Sequence, residues 1–220
     1  MSPRLLFEEE LEELKRSVSD MGEQIEKVYD RLFEVLKERD REALEAIVTN
    51  DRVINDMQRS IEAKCLTLLT KQQPVARDLR TVSAALKVVT DIERVGDHVS
   101  DMAELFLRLN MQNVEDFSTS LPKMIEAAKR SVGEAIEAFV NMNMEAAKDV
   151  IAFDDVIDDL FNKVKEELIG DLRSGKKDPD DCVDVLMIAK YLEKIGDHAV
   201  NIGEWAIFRE TGDIDDVRIF

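Results

Sequence analysis

The chain of 220 residues is long enough for one large domain or two small ones, and an apolar content of 45% excludes an unfolded polymer. A formal net charge of −18 excludes the general basic surface that a phosphate backbone requires, so no nucleic-acid partner is expected. Only 8 glycines, 4 prolines and 5% aromatic residues, beside abundant Ala, Leu, Glu and Lys, point to an all-α protein.

The N-terminal stretch MSPRLLFEEELEEL lacks the apolar core of a signal peptide. No run approaches the roughly 18 apolar residues of a membrane span, so a cytoplasmic protein without direct membrane insertion is expected. The first helix is predicted from Phe7 to Glu38, where Leu11, Leu14, Val18, Met21, Ile25, Val28, Leu32 and Leu36 recur at steps of three and four. It should stop near Arg39, with Asp40 capping a second helix over Arg41–Thr70. Lys71-Gln72-Gln73-Pro74 breaks the period, because the residue before a proline is pushed out of helical geometry. A third helix follows from Val75 to Asn110, and the polar stretch Met111–Leu121 loses the period. Three more helices are expected over Pro122–Val140, Met144–Leu172 and Asp180–Arg209, with Asp213–Phe220 as a tail. Cys65 and Cys182 stand in opposite halves without zinc-like spacing and read as reduced core thiols.

The second half repeats the first. Asn50–Met57 aligns with Phe153–Leu160 at an offset of 103, and Asp91–Glu104 aligns with Tyr191–Glu204 at an offset of 100. The three-residue difference falls most simply in the loop before the last helix. Two copies of a helix trio imply two tandem three-helix bundles related by an internal repeat, over residues 1–112 and 113–220.

The repeat carries the candidate chemistry. Glu93-x3-Asp97-x3-Asp101 matches Glu193-x3-Asp197-x3-Asn201. A spacing of four keeps such residues on one helical stripe, here within about 80° of one another. A wet helix face needs no further reason for its charges, and Val88, Val95, Val99, Met102 and Phe106 occupy the opposite side. Like charges at i,i+4 repel, however, and Arg94 and Lys194 lie about 100° off the stripe. Asp51-x3-Asn55 and Asp154-x3-Asp158 form shorter rows on the preceding helices. Facing rows of oxygen donors would suit a hard or borderline cation, with Asn201 in place of Asp101 removing one charge. Gly96 and Gly196 suggest close helix approach, and His98 and His198 are expected to hydrogen-bond an adjacent helix rather than bind metal. Glu26, Asp30 and Glu34 have no acidic repeat at Lys129 and Gly133 and read as solvated face. Arg77, Arg80 and Arg94 with Asp78 suit either a polar network or a partner patch.

Several enzymes are tested by their motifs. A ferritin-like di-iron site needs Glu-x-x-His, but Val95 and Ile195 precede the histidines by three. Two histidines 100 residues apart exclude a zincin helix. A magnesium-dependent all-α nucleotide pyrophosphatase finds Glu93-x3-Asp97 but no Glu-Glu-x-x-Glu helix in Lys71–Asp91. A phosphopeptide adaptor needs converging arginines, which are dispersed here.

The sequence resembles the PhoU family through Gln73–Arg80, Asp91–His98 and Leu192–Ile202, and the resemblance covers nearly the whole chain. It implies two three-helix bundles with pseudo-two-fold symmetry and a negative regulator of the phosphate-starvation response, not an enzyme. Implied partners are the ATPase subunit of a phosphate ABC importer and a sensor histidine kinase, with a homodimer possible. It also implies divalent or ferric ions, iron or zinc among them, on Glu93, Asp97, Asp101, Glu193, Asp197 and Asn201. A metal-free helical scaffold that binds basic surfaces is the rival reading.

Overall fold

The computed structural model describes residues 3–49, 52–72, 74, 77–109, 114–214 and 217–218. Its helices are α1 (Pro3–Glu38), α2 (Arg41–Thr49), α3 (Arg52–Gln72), α4 (Arg77–Arg108), α5 (Leu121–Asn141), α6 (Met144–Ser174) and α7 (Pro179–Thr211). The one helix expected over Arg41–Thr70 is therefore described as α2 and α3, and residues 50 and 51 between them lie outside the described residues. Residues 110–113, where the boundary between halves is expected, also lie outside them. In the tail, Asp213–Ile214 pairs with Val217–Arg218 in a short antiparallel ladder.

Local chemistry sets the ends of these helices. Arg39 takes a left-handed φ of 56°, and the Asp40 carboxylate accepts the Ala43 N–H at 3.0 Å to cap α2. The Asn143 side chain accepts the Ala146 N–H at 3.1 Å at the start of α6. Gly175 and Gly212, at φ of 65° and 84°, close α6 and α7 in the left-handed conformation that glycine reaches without a Cβ clash.

The fold is all-α: two tandem three-helix bundles related by a pseudo-two-fold axis. The first bundle packs α1, α3 and α4 together with α2 laid on α4, and the second packs α5, α6 and α7. The core follows the predicted phases, and Val88, Val95, Val99, Met102 and Phe106 of α4 are fully buried. Cys65 and Cys182 are free and buried. Burial pushes the Cys65 thiol up to about 12, which keeps it protonated and unreactive.

The bundles meet along two helix pairs. α4 and α7 run antiparallel, so that Arg209 reaches Thr81 at one end and Arg108 reaches Asp184 at the other. α1 packs on α5, where the Tyr29 hydroxyl donates to the Ile125 carbonyl at 2.7 Å. Glu26 and Asp30 are exposed, as the solvated-face reading expects, and they also face the second bundle. Lys129 pairs with Asp30 at 2.5 Å, and the Glu26 carboxylate lies 2.9 Å from where a Cβ on Gly133 would stand. Lys129 and Gly133 are the repeat counterparts of Glu26 and Asp30, so the acidic triplet fails to repeat because its counterparts are its partners across the axis.

Candidate functional site

The clearest juxtaposition of predicted donors lies between α6 and α7. A Cβ on Gly196 would stand 3.0 Å from the Asp154 carboxylate and 3.0 Å from Ile157. Glycine at this point therefore lets α6 close on α7, as expected, and the space of the missing side chain receives Asp154. Burial pushes the Asp154 carboxyl up to about 6, with the negative charges of Asp158, Asp197, Glu193 and Asp155 adding to the shift. Asp154, Asp158, Glu193 and Asp197 thus form one field drawn from two helices.

In the first half, Glu93 and Asp97 are partly buried on α4 and Asn55 is partly buried on α3. Asp51 lies outside the described residues. Among the described residues, no group of three or more His, Cys, Asp or Glu side chains is arranged to hold a metal ion.

The ends of the rows turn away from these faces. Each step of four residues advances about 40° around the helix, so Asp101 and Asn201 come round to the α4–α7 seam. There the Asn201 amide donates to Asp91 at 3.0 Å, and Nδ1 of His198 lies 2.8 Å from the same carboxylate oxygen. Across the pseudo-two-fold axis, the His98 ring packs on Tyr191 with centroids 5.3 Å apart, and Asp101 bonds the Tyr191 hydroxyl. His98 and His198 stack on each other at 5.5 Å. Burial, and then the neighbouring His198, lower the His98 pKa. His198 thus takes the expected hydrogen bond to an adjacent helix.

Asp91 and Tyr191 are the seam residues that pattern reasoning missed. The signal was available, because Asp91 precedes His98 by seven residues and so shares its helix face.

The separation of Arg94 and Lys194 from the acidic rows is also corrected. Arg94 bonds Asp97 at 2.8 Å, and Lys194 bonds Asp197 and lies 3.5 Å from Glu193. Lys190 adds a contact to Glu193 at 2.5 Å. Their Cα positions are off the stripe, but long flexible stems carry the cations back onto it. The remaining arginines form a polar network. Arg77 pairs with Glu210 at 2.9 Å, and Arg80 donates to the carbonyls of Arg209 and Glu210, tying the start of α4 to the end of α7.

These features define a class: a tandem pair of three-helix bundles closed by a polar seam, with carboxylate rows recurring on corresponding helices. A PhoU domain matches residues 18–106 and again 121–206, and the chain belongs to the PhoU family. It is 36% identical over 211 residues to the phosphate-specific transport system accessory protein PhoU homolog of Clostridium acetobutylicum, covering 95% of this chain and 96% of that one. It is 32% identical to PhoU homolog 1 of Methanothermobacter thermautotrophicus, again over 95% and 96% of the two chains. The crystal structure of the phosphate transport system regulatory protein PhoU from Streptococcus pneumoniae superposes with a TM-score of 0.86 at 28% identity, covering 96% of this chain and all of that one. Among the described residues, no helix is long and apolar enough to cross a membrane.

Proposed function

We propose that the chain is a cytoplasmic regulatory adaptor of phosphate transport and a negative regulator of the phosphate-starvation response. In this reading it links the ATPase subunit of a phosphate importer to a sensor histidine kinase and catalyses no reaction. The observation that carries the proposal is the coverage, since a relative named as an accessory protein of phosphate-specific transport aligns over 95% of this chain and 96% of its own length. Deleting the gene should switch on a phosphate-starvation reporter in phosphate-replete cells, and the wild-type chain should restore repression. A reporter that stays silent after deletion overturns the regulatory reading, and metal-dependent nucleoside triphosphate hydrolysis by the pure chain overturns the adaptor reading.

Cation binding is the second part of the proposal. Asp154, Asp158, Glu193 and Asp197 offer oxygen donors from two helices, and burial, with the negative charges of the other three added to it, pushes the Asp154 carboxyl up to about 6. Glu93 and Asp97, with Asn55 and Asp51 by sequence, are the corresponding donors of the first half. Asp101 and Asn201 stand at the seam, where Asn201 is engaged by Asp91. A bound divalent or ferric ion, iron or zinc, would supply local positive charge on an acidic surface. The metal-free scaffold has its own support in Arg94 and Lys194, which already neutralise parts of both rows. Metal analysis of protein purified without chelator, beside the Asp97→Ala/Asp197→Ala double variant, separates the two. The cation reading expects metal in the parent and its loss in the variant, and equal content in both favours the scaffold.

A further inference from the structure

Exposed apolar side chains gather at the outer edge where α6 meets α7. They are Ile169 and Leu172 on α6 and Val183 and Met187 on α7. The two helices run antiparallel, with Asp154 of α6 against Gly196 of α7 and the Lys190 ammonium over the Phe161 ring at 5.5 Å. From that last pair, Met187 stands level with Val164 and Val183 level with Leu168. Steps of four, four and three keep Phe161, Lys165, Ile169 and Leu172 on one side of α6, and steps of four and three keep Val183, Met187 and Lys190 on one side of α7. From Phe161 to Leu172 the strip is about 16 Å long, or roughly three helical turns.

The repeat shows that the fold does not require this surface. At the matching positions of the first bundle, Gln58 stands for Phe161, Ser83 for Val183 and Lys87 for Met187, and all three are described. Apolar area at these positions is therefore particular to the second bundle. Charge differs as well. Lys165, Arg173 and Lys190 stand where the first bundle has Glu62, Thr70 and Thr90. A chain of net charge −18 thus carries a strip that is both apolar and basic. Lys190 is engaged by Glu193 at 2.5 Å. Among the described residues neither Lys165 nor Arg173 forms an ion pair, and Lys165 bonds only the Asn162 amide oxygen, at 2.7 Å.

We infer that the α6–α7 strip docks an acidic amphipathic helix of a partner protein, its apolar stripe on Ile169, Leu172, Val183 and Met187 and its carboxylates against Lys165 and Arg173. This gives the adaptor reading a partner chemistry and rests on that reading. A docked helix would cover the exposed apolar side chains, and its carboxylates would take charge-assisted hydrogen bonds from two cations that have no counter-ion in the chain.

The test is titration of a labelled glutamate–leucine amphipathic helix of about 14 residues into the full-length, chelator-treated chain in about 0.15 M salt, read by fluorescence anisotropy. One saturable site is expected. Val183→Ser with Met187→Gln should weaken binding at least about tenfold, and Ile169→Ser with Leu172→Ser reads the α6 side wherever the first pair unfolds. Lys165→Gln with Arg173→Gln should also weaken it about tenfold, while Leu66→Ser, at the first-bundle counterpart of Ile169, should leave it unchanged. A glutamate–serine peptide of equal charge should bind at least about tenfold more weakly. No saturable binding up to the millimolar range overturns the inference, as does binding that survives both apolar pairs or the loss of both cations. Equal affinity for the glutamate–serine peptide overturns it too, since charge alone would then suffice. A parent dimer in sedimentation that Val183→Ser with Met187→Gln dissolves would make the occupant a second copy and overturn the assignment to a partner. The deletion reporter decides the adaptor reading by itself, so a chain that restores repression but fails this titration loses only the strip.

Discussion

The two bundles share their motif helices and differ in what lies against them. On α7, Gly196 is sealed by Asp154 and Ile157, whereas on α4 its counterpart Gly96 is buried at the edge of a groove that Val53 and Ile54 of α3 also line. The difference teaches that duplication preserved the phase of α4 and α7 while the neighbouring helices diverged, through Phe153 against Asn50 and Glu134 against Arg31. The sharpest way to break this comparison is to fill both positions. Gly196→Leu drives a side chain into Asp154 and Ile157 and should cost about 2–3 kcal/mol, while Gly96→Leu, at a buried position that borders the groove, should cost less. Urea unfolding of the two variants measures both, and equal losses would erase the distinction.

The α4–α7 seam offers the next contrast, because its two sides are related by the axis yet chemically unlike. Asp91 serves both His198 and Asn201, whereas Tyr191 brings one ring and one hydroxyl to His98 and Asp101. Asp91→Ala leaves two partly buried polar groups without their partner and should cost about 1–2 kcal/mol. Tyr191→Phe keeps the ring packing and should cost about 0.5 kcal/mol. Denaturant midpoints decide, and a Tyr191→Phe loss as large as that of Asp91→Ala would show that the seam is energetically symmetric.

Asp154 sharpens the comparison through pH. Its carboxyl titrates near 6 in the folded protein against 3.8 without the surrounding structure. Between those values the folded state keeps a proton that the unfolded chain has released, so stability from this group falls as pH rises from about 4 to 6. Asp154→Asn removes that loss. In chelator-treated protein the variant should exceed the parent by on the order of 1 kcal/mol at pH 7, after allowance for solvent screening, and match it near pH 3.5. Urea midpoints at the two pH values read the effect, and a variant less stable at pH 7 would mean that Asp154 is held by attraction.

The fold was largely legible in the sequence, and the site was legible only in part. Steps of three and four fixed the buried face of α4, and Asp40 and Gly212 marked helix ends that the backbone then adopted. The closeness of α6 and α7 followed from Gly196 and the repeated rows. Two things resisted. Spacing locates Cα atoms on a helix and not the ends of long side chains, so the reach of Arg94 and Lys194 back onto the rows was invisible. Spacing also treats a row as one face, although steps of four drift about 40° each and deliver Asp101 and Asn201 to a different neighbour.

The smallest effect tests how the rows are balanced. In the second half, Glu193 and Asp197 are served by Lys194, and Lys190 stands behind it on Glu193. In the first half, Arg94 serves Glu93 and Asp97, and the counterpart of Lys190 is Thr90, which carries no charge. Arg94 and Lys194 are both substantially exposed, at 56% and 42% of the side chain, so either loss should cost only a few tenths of a kcal/mol. Arg94→Gln should nonetheless cost more than Lys194→Gln, because Lys190 stays on Glu193 whereas its counterpart Thr90 brings no charge to the first row. The gap should close at about 1 M salt, where the Debye length shrinks to roughly 3 Å. Urea midpoints at low and high salt provide the measurement. A Lys194→Gln loss that is the larger of the two, or a gap that persists in high salt, would mean that these side chains act by packing rather than by charge.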